Sequence, residues 1–292
     1  MRQKYNLKIA DLYFRVDSYP DEYTLKVFEP YMIPDSECPE DSLSVVCTLT
    51  RETVTEPQSG KLTDRQFSNW YSDVEGKYTV CYYDADNDVI CARMDYDRHA
   101  RCAELLLADV GPLFGENPEF FLYNVMEKIF SLSLLFNNGF VIHASSIVHE
   151  GYGLAFSAES GTGKSTHTGL WLENYPGTYI LNDDSPALRQ VNGEWKIYGT
   201  PWAGTTGINC NSSAPLKALV FLERSKENKM RSCSALEGIR RIFEAIIHPM
   251  SDELTNAVLT SLSAFISTSE ICILGCNISA DAPKTVKEYL FK

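Results

Sequence analysis

Residues 155–171 read AFSAESGTGKSTHTGLW, and this stretch predicts a strand, a phosphate-binding loop (P-loop) and a helix in succession. Its glycines allow the chain to bend closely around a ligand. In such loops the lysine reaches the β- and γ-phosphates, the next hydroxyl binds Mg²⁺, and the N-terminus of the helix attracts the anion. The pattern here is A-x-x-x-x-G-K-S, with alanine at the usual first glycine, and a chance match is the alternative. The residues of the predicted nucleotide site are Ala158, Glu159, Ser160, Gly161, Thr162, Gly163, Lys164, Ser165 and Thr166.

An acidic pair follows in TYILNDDSPAL, residues 178–188. Three apolar positions lead into Asp183 and Asp184, which predicts a strand that ends at this pair. Ligands bind at the carboxyl edge of the strands in open α/β sheets, and phosphoryl transfer needs a carboxylate to hold Mg²⁺ or to accept a proton. Adjacent side chains point to opposite faces of a strand, so both can serve one site only if the strand ends there. A solvated turn is the alternative interpretation.

Together, SAESGTGKSTHTGLW and YILNDDSPAL resemble the catalytic domain of HPr kinase/phosphorylase and the related nucleotide site of ATP-dependent phosphoenolpyruvate carboxykinase. Both have a G-x-S-G-x-G-K-[ST] loop followed by a strand ending in Asp-Asp, and Ser160 keeps the serine of that pattern. In the kinase family a histidine lies on a strand shortly before the loop. FVIHASSIV, residues 140–148, places His143 there, although a histidine satisfied within a strand is the alternative. The resemblance covers roughly residues 139–292.

The resemblance implies an ATP-dependent kinase that uses Mg²⁺ and is a homo-oligomer. Carried over by position, Lys164 stabilises the transferring phosphate and Ser165 binds Mg²⁺. Asp183 takes the proton of the acceptor hydroxyl and Asp184 assists the metal, but the division between the two aspartates stays open. With His143, these residues form the predicted catalytic and metal-binding set.

The predicted fold is α/β, with a P-loop kinase domain at 113–292 that follows a β-rich (α+β) domain at 1–112. Short runs rich in β-branched and aromatic residues, among them YTLKVF at 23–28, predict strands in the first domain. DADND at 84–88 predicts a hairpin loop. Residues 118–139 show helical spacing that stops at Asn137-Asn138-Gly139. We expect the first domain to recognise the acceptor or to form an oligomer contact.

The net charge, the cysteine spacing and the hydropathy of the chain limit the partners and the compartment that the sequence predicts. The 292 residues carry a formal net charge of −13, which argues against nucleic acid or an anionic membrane as a partner. The nine cysteines are scattered and have no CxxC spacing, which favours buried thiols over disulfides or zinc. The polar N-terminus differs from a signal peptide, and the longest apolar run is shorter than the roughly 20 residues of a membrane span. The sequence therefore predicts a cytoplasmic protein.

Three functions remain open at this point. The first is a kinase acting on a serine-type hydroxyl of a protein, a peptide or a small molecule. The second is a non-catalytic nucleotide-binding sensor or regulatory module, and the third is a structural protein with a relic loop. Two further features could belong to an active site. The segment IYGTPWAGTTGINCN, residues 197–211, could line it, and a plain surface loop is the alternative. Arg224 could pair with a phosphate or with Glu223.

Overall fold

The computed structural model of the chain describes residues 2–20, 22–63, 68–83, 89–108, 119–159, 161–246 and 251–292, with side chains at 119–121 left out. Contacts between Cα atoms divide the chain into two compact units, Met1–Phe136 with Met250–Thr255, and Asn137–Pro249 with Asn256–Lys292. The predicted domain boundary at 112 and the predicted hairpin loop at 84–88 lie outside the described residues.

Six α-helices occur in the described part of the chain. They are α1 (Glu22–Phe28), α2 (Glu119–Leu135), α3 (Lys164–Asn174), α4 (Ala235–Ala245), α5 (Asp252–Thr268) and α6 (Asp281–Leu290). Short 3-10 turns are formed by Glu29–Tyr31, Asp35–Glu37 and Gly204–Thr206. The predicted end of α2 is confirmed, because Asn138 adopts a left-handed φ of 59° shortly after the helix. None of the helices in these residues is long and apolar enough to cross a membrane.

The first unit contains an eight-stranded mixed sheet, as the predicted β-rich character requires. Its strands are β1 (Gln3–Ile9), β2 (Leu12–Ser18), β3 (Met32–Ile33), β4 (Leu43–Thr50), β5 (Ser68–Ser72), β6 (Tyr78–Tyr83), β7 (Ile90–Tyr96) and β8 (Cys102–Ala108). The spatial order is β3-β1-β2-β4-β8-β7-β6-β5. The strands β2, β4 and β8 run parallel, and the other neighbours are antiparallel.

The strand predicted at residues 23–28 is wrong, because this segment forms helix α1. Its β-branched and aromatic composition favours a strand locally. Thr24 and Phe28, however, lie four residues apart and are both buried, so they share one helical face. Tyr123 of α2 contacts that helix, with ring centroids 5.7 Å from Tyr23 and 6.5 Å from Phe28. Packing against α2 therefore overrides the local preference.

The second unit contains a nine-stranded sheet. Its strands are β9 (Gly139–Val141), β10 (Ala144–His149), β11 (Tyr152–Ser157), β12 (Tyr179–Asn182), β13 (Ala187–Val191), β14 (Glu194–Tyr198), β15 (Ser213–Arg224), β16 (Lys229–Ser232) and β17 (Ile271–Cys276). The main path is β12-β10-β11-β15-β14-β13-β9, and β17 pairs with both β15 and β16. The central strands β11, β15 and β17 are parallel, so their carboxyl ends meet at one edge of the sheet.

The core of the second unit lies where α3 and α6 cover this sheet. Phe156 of β11, Val220 of β15 and Leu274 of β17 are buried together with Trp171 of α3 and Val286 of α6. The apolar runs that predict the strands are therefore buried, as expected for the centre of a parallel sheet. The nine cysteines all lie within the described residues, none of them forms a disulfide, and five of them are buried.

Candidate functional site

The predicted phosphate loop connects the end of β11 to the start of α3. Gly163 has φ 110° and precedes the first helical residue, and Gly161 has φ 75°. Residues other than glycine adopt these backbone angles only with strain. The loop thus bends where the sequence places its glycines, and the N-terminus of α3 opens towards it. Ser160, which belongs to the predicted nucleotide site, lies outside the described residues.

Ala158 replaces the glycine that usually begins this loop. It is not among the residues with positive φ, so its backbone lies in a region that alanine adopts without strain. Its methyl group packs against the hydrophobic core of the second unit, and its carbonyl oxygen accepts a hydrogen bond from Lys164 Nζ at 3.2 Å. The substitution is therefore compatible with the bend of the loop.

Lys164, His143 and Asp184 form a chain of polar contacts. Lys164 Nζ lies 2.9 Å from His143 Nε2, and His143 Nδ1 lies 3.2 Å from Asp184 Oδ1. An ammonium group can only donate, so Nε2 must accept and the proton of a neutral ring must be on Nδ1, facing the carboxylate. The loop lysine and the acidic pair are thus connected through one imidazole ring.

His143 does not lie on a strand, contrary to the sequence prediction. It occupies the bend between β9 and β10. The two strands diverge at this point, because β9 pairs with β13 whereas β10 pairs with β11 and β12. The divergence leaves the imidazole about half exposed, with 45% of its side-chain surface accessible, and turns a sheet position into one that can contact a ligand.

Burial and charge act in opposite directions on this chain of contacts. Partial burial lowers the pKa of Lys164, and the nearby Asp184 and Asp183 charges counteract part of this effect. Burial raises the pKa of Asp184, but the hydrogen bond and charge of His143, the Ser185 hydroxyl and the Lys164 charge outweigh it. The pKa of Asp184 is consequently lowered, so this carboxylate is ionised at neutral pH.

The two aspartates occupy different environments. Asp183 is only 6% exposed, and its Oδ1 accepts a 2.5 Å hydrogen bond from the Ser145 hydroxyl. Ser145 also lies 3.0 Å from the Thr168 hydroxyl of α3. These buried contacts connect β10, the acidic pair and helix α3, which follows the glycine loop. The Asp183 carboxylate is therefore fixed by the buried Ser145 hydroxyl, whereas Asp184 faces Lys164 and His143.

Asn182 is a functional candidate that the sequence reasoning missed. It is fully buried, and its Oδ1 accepts hydrogen bonds from the backbone N–H groups of Asp184 and Ser185 at 2.9 and 2.8 Å. Its Nδ2 lies 3.0 to 3.1 Å from the Thr200 carbonyl, the Thr200 hydroxyl and the Trp202 carbonyl. The side chain thus ends β12 in a turn, which allows two successive aspartates to lie at one site.

The contacts of Asn182 involve part of the segment at 197–211, namely Thr200 and Trp202. Thr200 and Trp202 are buried at 0% and 1% exposure, so this part of the segment is not a plain surface loop. Gly204 approaches the acidic pair so closely that an added Cβ would lie 3.0 Å from Asp184 Cβ. A polar NDDSP sequence alone gave no signal for this close packing, because the partner residues are 18 or more positions away.

Asn182→Ala is expected to lower the free energy of unfolding by about 3 kcal/mol, because buried backbone N–H and C=O groups lose their partners. Urea unfolding followed by circular dichroism measures this. Asn174→Ala is the matched control, since Asn174 is exposed and makes one hydrogen bond within α3. Equal unfolding midpoints for the two variants would contradict the role of Asn182.

The remaining loop residues are available to a ligand. Glu159, Ser165 and Thr166 are exposed and Thr162 is half-buried, with its N–H donating to the Glu159 carbonyl at 3.1 Å. Among the described residues, no group of three or more His, Cys, Asp or Glu side chains is arranged to hold a metal. Mg²⁺ beside a nucleotide typically uses one or two protein ligands and phosphate oxygens, and the hydroxyl and carboxylate donors present suit that coordination. The glycine loop, with positive φ at Gly161 and Gly163, has room for a phosphate chain close to its backbone.

The sequence matches no protein-family model and no curated protein. Among solved structures, it is similar to the Hpr(Ser) kinase/phosphatase from Coxiella burnetii, with 12% identity and a TM-score of 0.31. The similarity covers 51% of this chain and 95% of that chain. A TM-score this low does not establish a shared fold.

Proposed function

We propose that this chain is an ATP-dependent phosphotransferase that uses Mg²⁺ and phosphorylates a serine-type hydroxyl of a protein, a peptide or a small molecule. The observation that supports this proposal best is the contact chain of Lys164, His143 and Asp184 at the mouth of the glycine loop. A phosphate-binding lysine next to an ionised carboxylate provides both charge neutralisation and a proton acceptor. Phosphoryl transfer requires little more than these two elements and correct positioning.

Each side chain has a role in this proposal. Lys164 exchanges its contact with the imidazole for the phosphate oxygens, and the backbone N–H groups at the start of α3 hold the remaining charge. Bound Mg²⁺ neutralises charge on the phosphates. Ser165 and the buried Asp183 would hold the ion, and the Ser145 hydroxyl keeps the Asp183 carboxylate in one orientation.

Asp184 is the proposed base. The resemblance implies the reverse order, with Asp183 as the base and Asp184 at the metal, but it leaves the division open, and the surroundings of the two side chains favour Asp184 as the base. Asp184 has 33% of its side chain exposed, so an acceptor hydroxyl can reach it, whereas Asp183 is almost fully enclosed. The Nδ1–H of His143 orients the Asp184 carboxylate and leaves a lone pair for the incoming proton. His143 is thus a positioning residue in this proposal.

MgATP binding to the full chain tests the proposal, with isothermal calorimetry as the measurement. Lys164→Ala is expected to weaken binding about tenfold to a hundredfold, because a charge-assisted contact to phosphate is lost. Lys284→Ala is the control, since that side chain is exposed on α6 and belongs to a weak 4.0 Å pair with Glu288. If the unaltered protein did not bind MgATP, the proposed function would be wrong.

Labelled ATP distinguishes the phosphotransferase from the sensor module. The unaltered protein is incubated with γ-labelled ATP, Mg²⁺ and a cell lysate, and label is sought in protein, peptide and small-molecule fractions. Label in one of these fractions supports the phosphotransferase and identifies the acceptor class. Tight MgATP binding without transfer or hydrolysis would favour the sensor module instead.

A further inference from the structure

Arg224 ends β15 beside the phosphate loop. Ser157, the last residue of β11, pairs with Phe221 in the parallel register, so β15 continues beyond the end of its neighbour. The guanidinium group reaches the loop, and its NH2 atom donates a 2.6 Å hydrogen bond to the Gly161 carbonyl. Arg224 borders a cavity of about 880 Å³, which is also lined by the loop residues Ala158, Glu159 and Thr162.

The charge of Arg224 is not neutralised in the described part of the chain. Three other arginines lie near the same end of the sheet, and each has a glutamate partner. Arg231 pairs with Glu237 at 2.9 Å and Arg240 pairs with Glu244 at 2.9 Å. Arg241 pairs with both Glu223 and Glu237.

The two alternatives for Arg224 left open by the sequence can now be separated. Glu223 is taken by Arg241 and lies 3.6 Å from Arg231, so it does not serve Arg224. Among the described residues no carboxylate lies within 4.0 Å of the Arg224 guanidinium. An exposed guanidinium has five N–H donors, and the Gly161 carbonyl uses one of them.

We propose that Arg224 binds the phosphate chain of the nucleotide directly, from the β15 side of the loop. The inference rests on the proposed function, since it assumes that the loop holds a nucleotide. One N–H of Arg224 keeps its hydrogen bond to the Gly161 carbonyl, while the remaining N–H groups donate to phosphate oxygens. Arginine suits this task because its planar fork matches phosphate geometry. Lys164 lies with His143 and Asp184 on the β10 side, so the two cations hold the phosphates from opposite sides.

The test must distinguish a contact of Arg224 with phosphate from a purely structural role, in which its hydrogen bond to Gly161 only stabilises the loop (a loop brace). Arg224→Gln keeps a side-chain amide that can donate to the Gly161 carbonyl but removes the charge, whereas Arg224→Ala removes both. If Arg224 binds phosphate, both variants weaken MgATP binding about tenfold to a hundredfold in calorimetry. Both also reduce the dependence of the affinity on salt, because one cationic contact is gone. Arg224→Lys is expected to lie between these variants and the unaltered protein.

Arg231→Gln is the matched control, since it makes the same chemical change on β16 at a side chain that does not line the cavity. Unchanged MgATP affinity in Arg224→Gln with a loss in Arg224→Ala would show a brace only and overturn the inference. Equal affinities in the unaltered protein and Arg224→Ala would overturn it as well. In both cases MgATP still binds the unaltered protein, so the proposed function survives. If the unaltered protein binds no MgATP, both proposals fail.

Discussion

Asp184→Asn is expected to reduce phosphoryl transfer by about 10²–10⁴-fold, which is the usual contribution of a positioned general base. The amide has nearly the same shape as the carboxylate, so it can still accept the hydrogen bond from His143 Nδ1, but it cannot take up the acceptor proton. Transfer of label from γ-labelled ATP measures the loss. MgATP affinity, measured in parallel, is expected to remain close to that of the unaltered protein.

Asp183→Asn provides the comparison that separates the two aspartates. In the proposed roles, Asp183→Asn loses a metal ligand and needs more Mg²⁺ for half-maximal transfer. Added Mg²⁺ does not restore the lost transfer activity of Asp184→Asn. Asp281→Asn, at an exposed position at the start of α6, controls for the loss of a negative charge. Full transfer activity in Asp184→Asn would refute its role as the base, and the opposite pattern would exchange the roles of the two residues.

Trp171→Ala is expected to lower the free energy of unfolding by about 3–5 kcal/mol. Trp171 is completely buried and packs its ring against Phe156 and Tyr175, with ring centroids 6.2 and 5.1 Å away. Its Nε1–H donates to His167 Nε2 at 3.2 Å. Removal of the indole leaves a cavity between α3 and the sheet and an unpaired ring nitrogen on His167.

The neighbouring Leu172 gives a matched control for this prediction. It lies on the same helix but is 39% exposed, so Leu172→Ala is expected to have a much smaller effect. Trp171→Phe keeps much of the apolar contact and is expected to fall between the two. Urea unfolding of all three variants, followed by far-ultraviolet circular dichroism, checks the order. Equal midpoints for Trp171→Ala and Leu172→Ala would contradict the packing described here.

Local signals predicted several elements correctly. The strand-loop-helix order around Lys164 follows from apolar residues, glycines and a helix start within a short stretch. The end of α2 follows from Asn138 and Gly139, because these residues tolerate or favour the backbone angles that stop a helix. These features depend on residues close in the chain, so the sequence carries their signal directly.

Other features could not be predicted because they depend on distant partners. Residues 23–28 have the composition of a strand, but the contact with Tyr123 makes them a helix. His143 was expected on a strand, and only the divergence of β9 and β10 shows that it lies in a bend. The burial of Asn182 and its contacts with Thr200 and Trp202 have no signature within NDDSP itself.

By itself, the sequence determined the position of the glycine loop between a strand and a helix, the acidic pair that follows it and the α/β character of the chain. Backbone angles, apolar periodicity and charge are properties of short segments, and their physical effects can be read from neighbouring residues. Only the tertiary structure decided which side chains meet: Lys164 with His143, His143 with Asp184, Asp183 with Ser145, and Arg224 with the loop carbonyl. The reason is that strand pairing brings together the ends of β10, β11, β12 and β15 and the segments next to them. The register of that pairing is set by burial of whole strands rather than by any single segment.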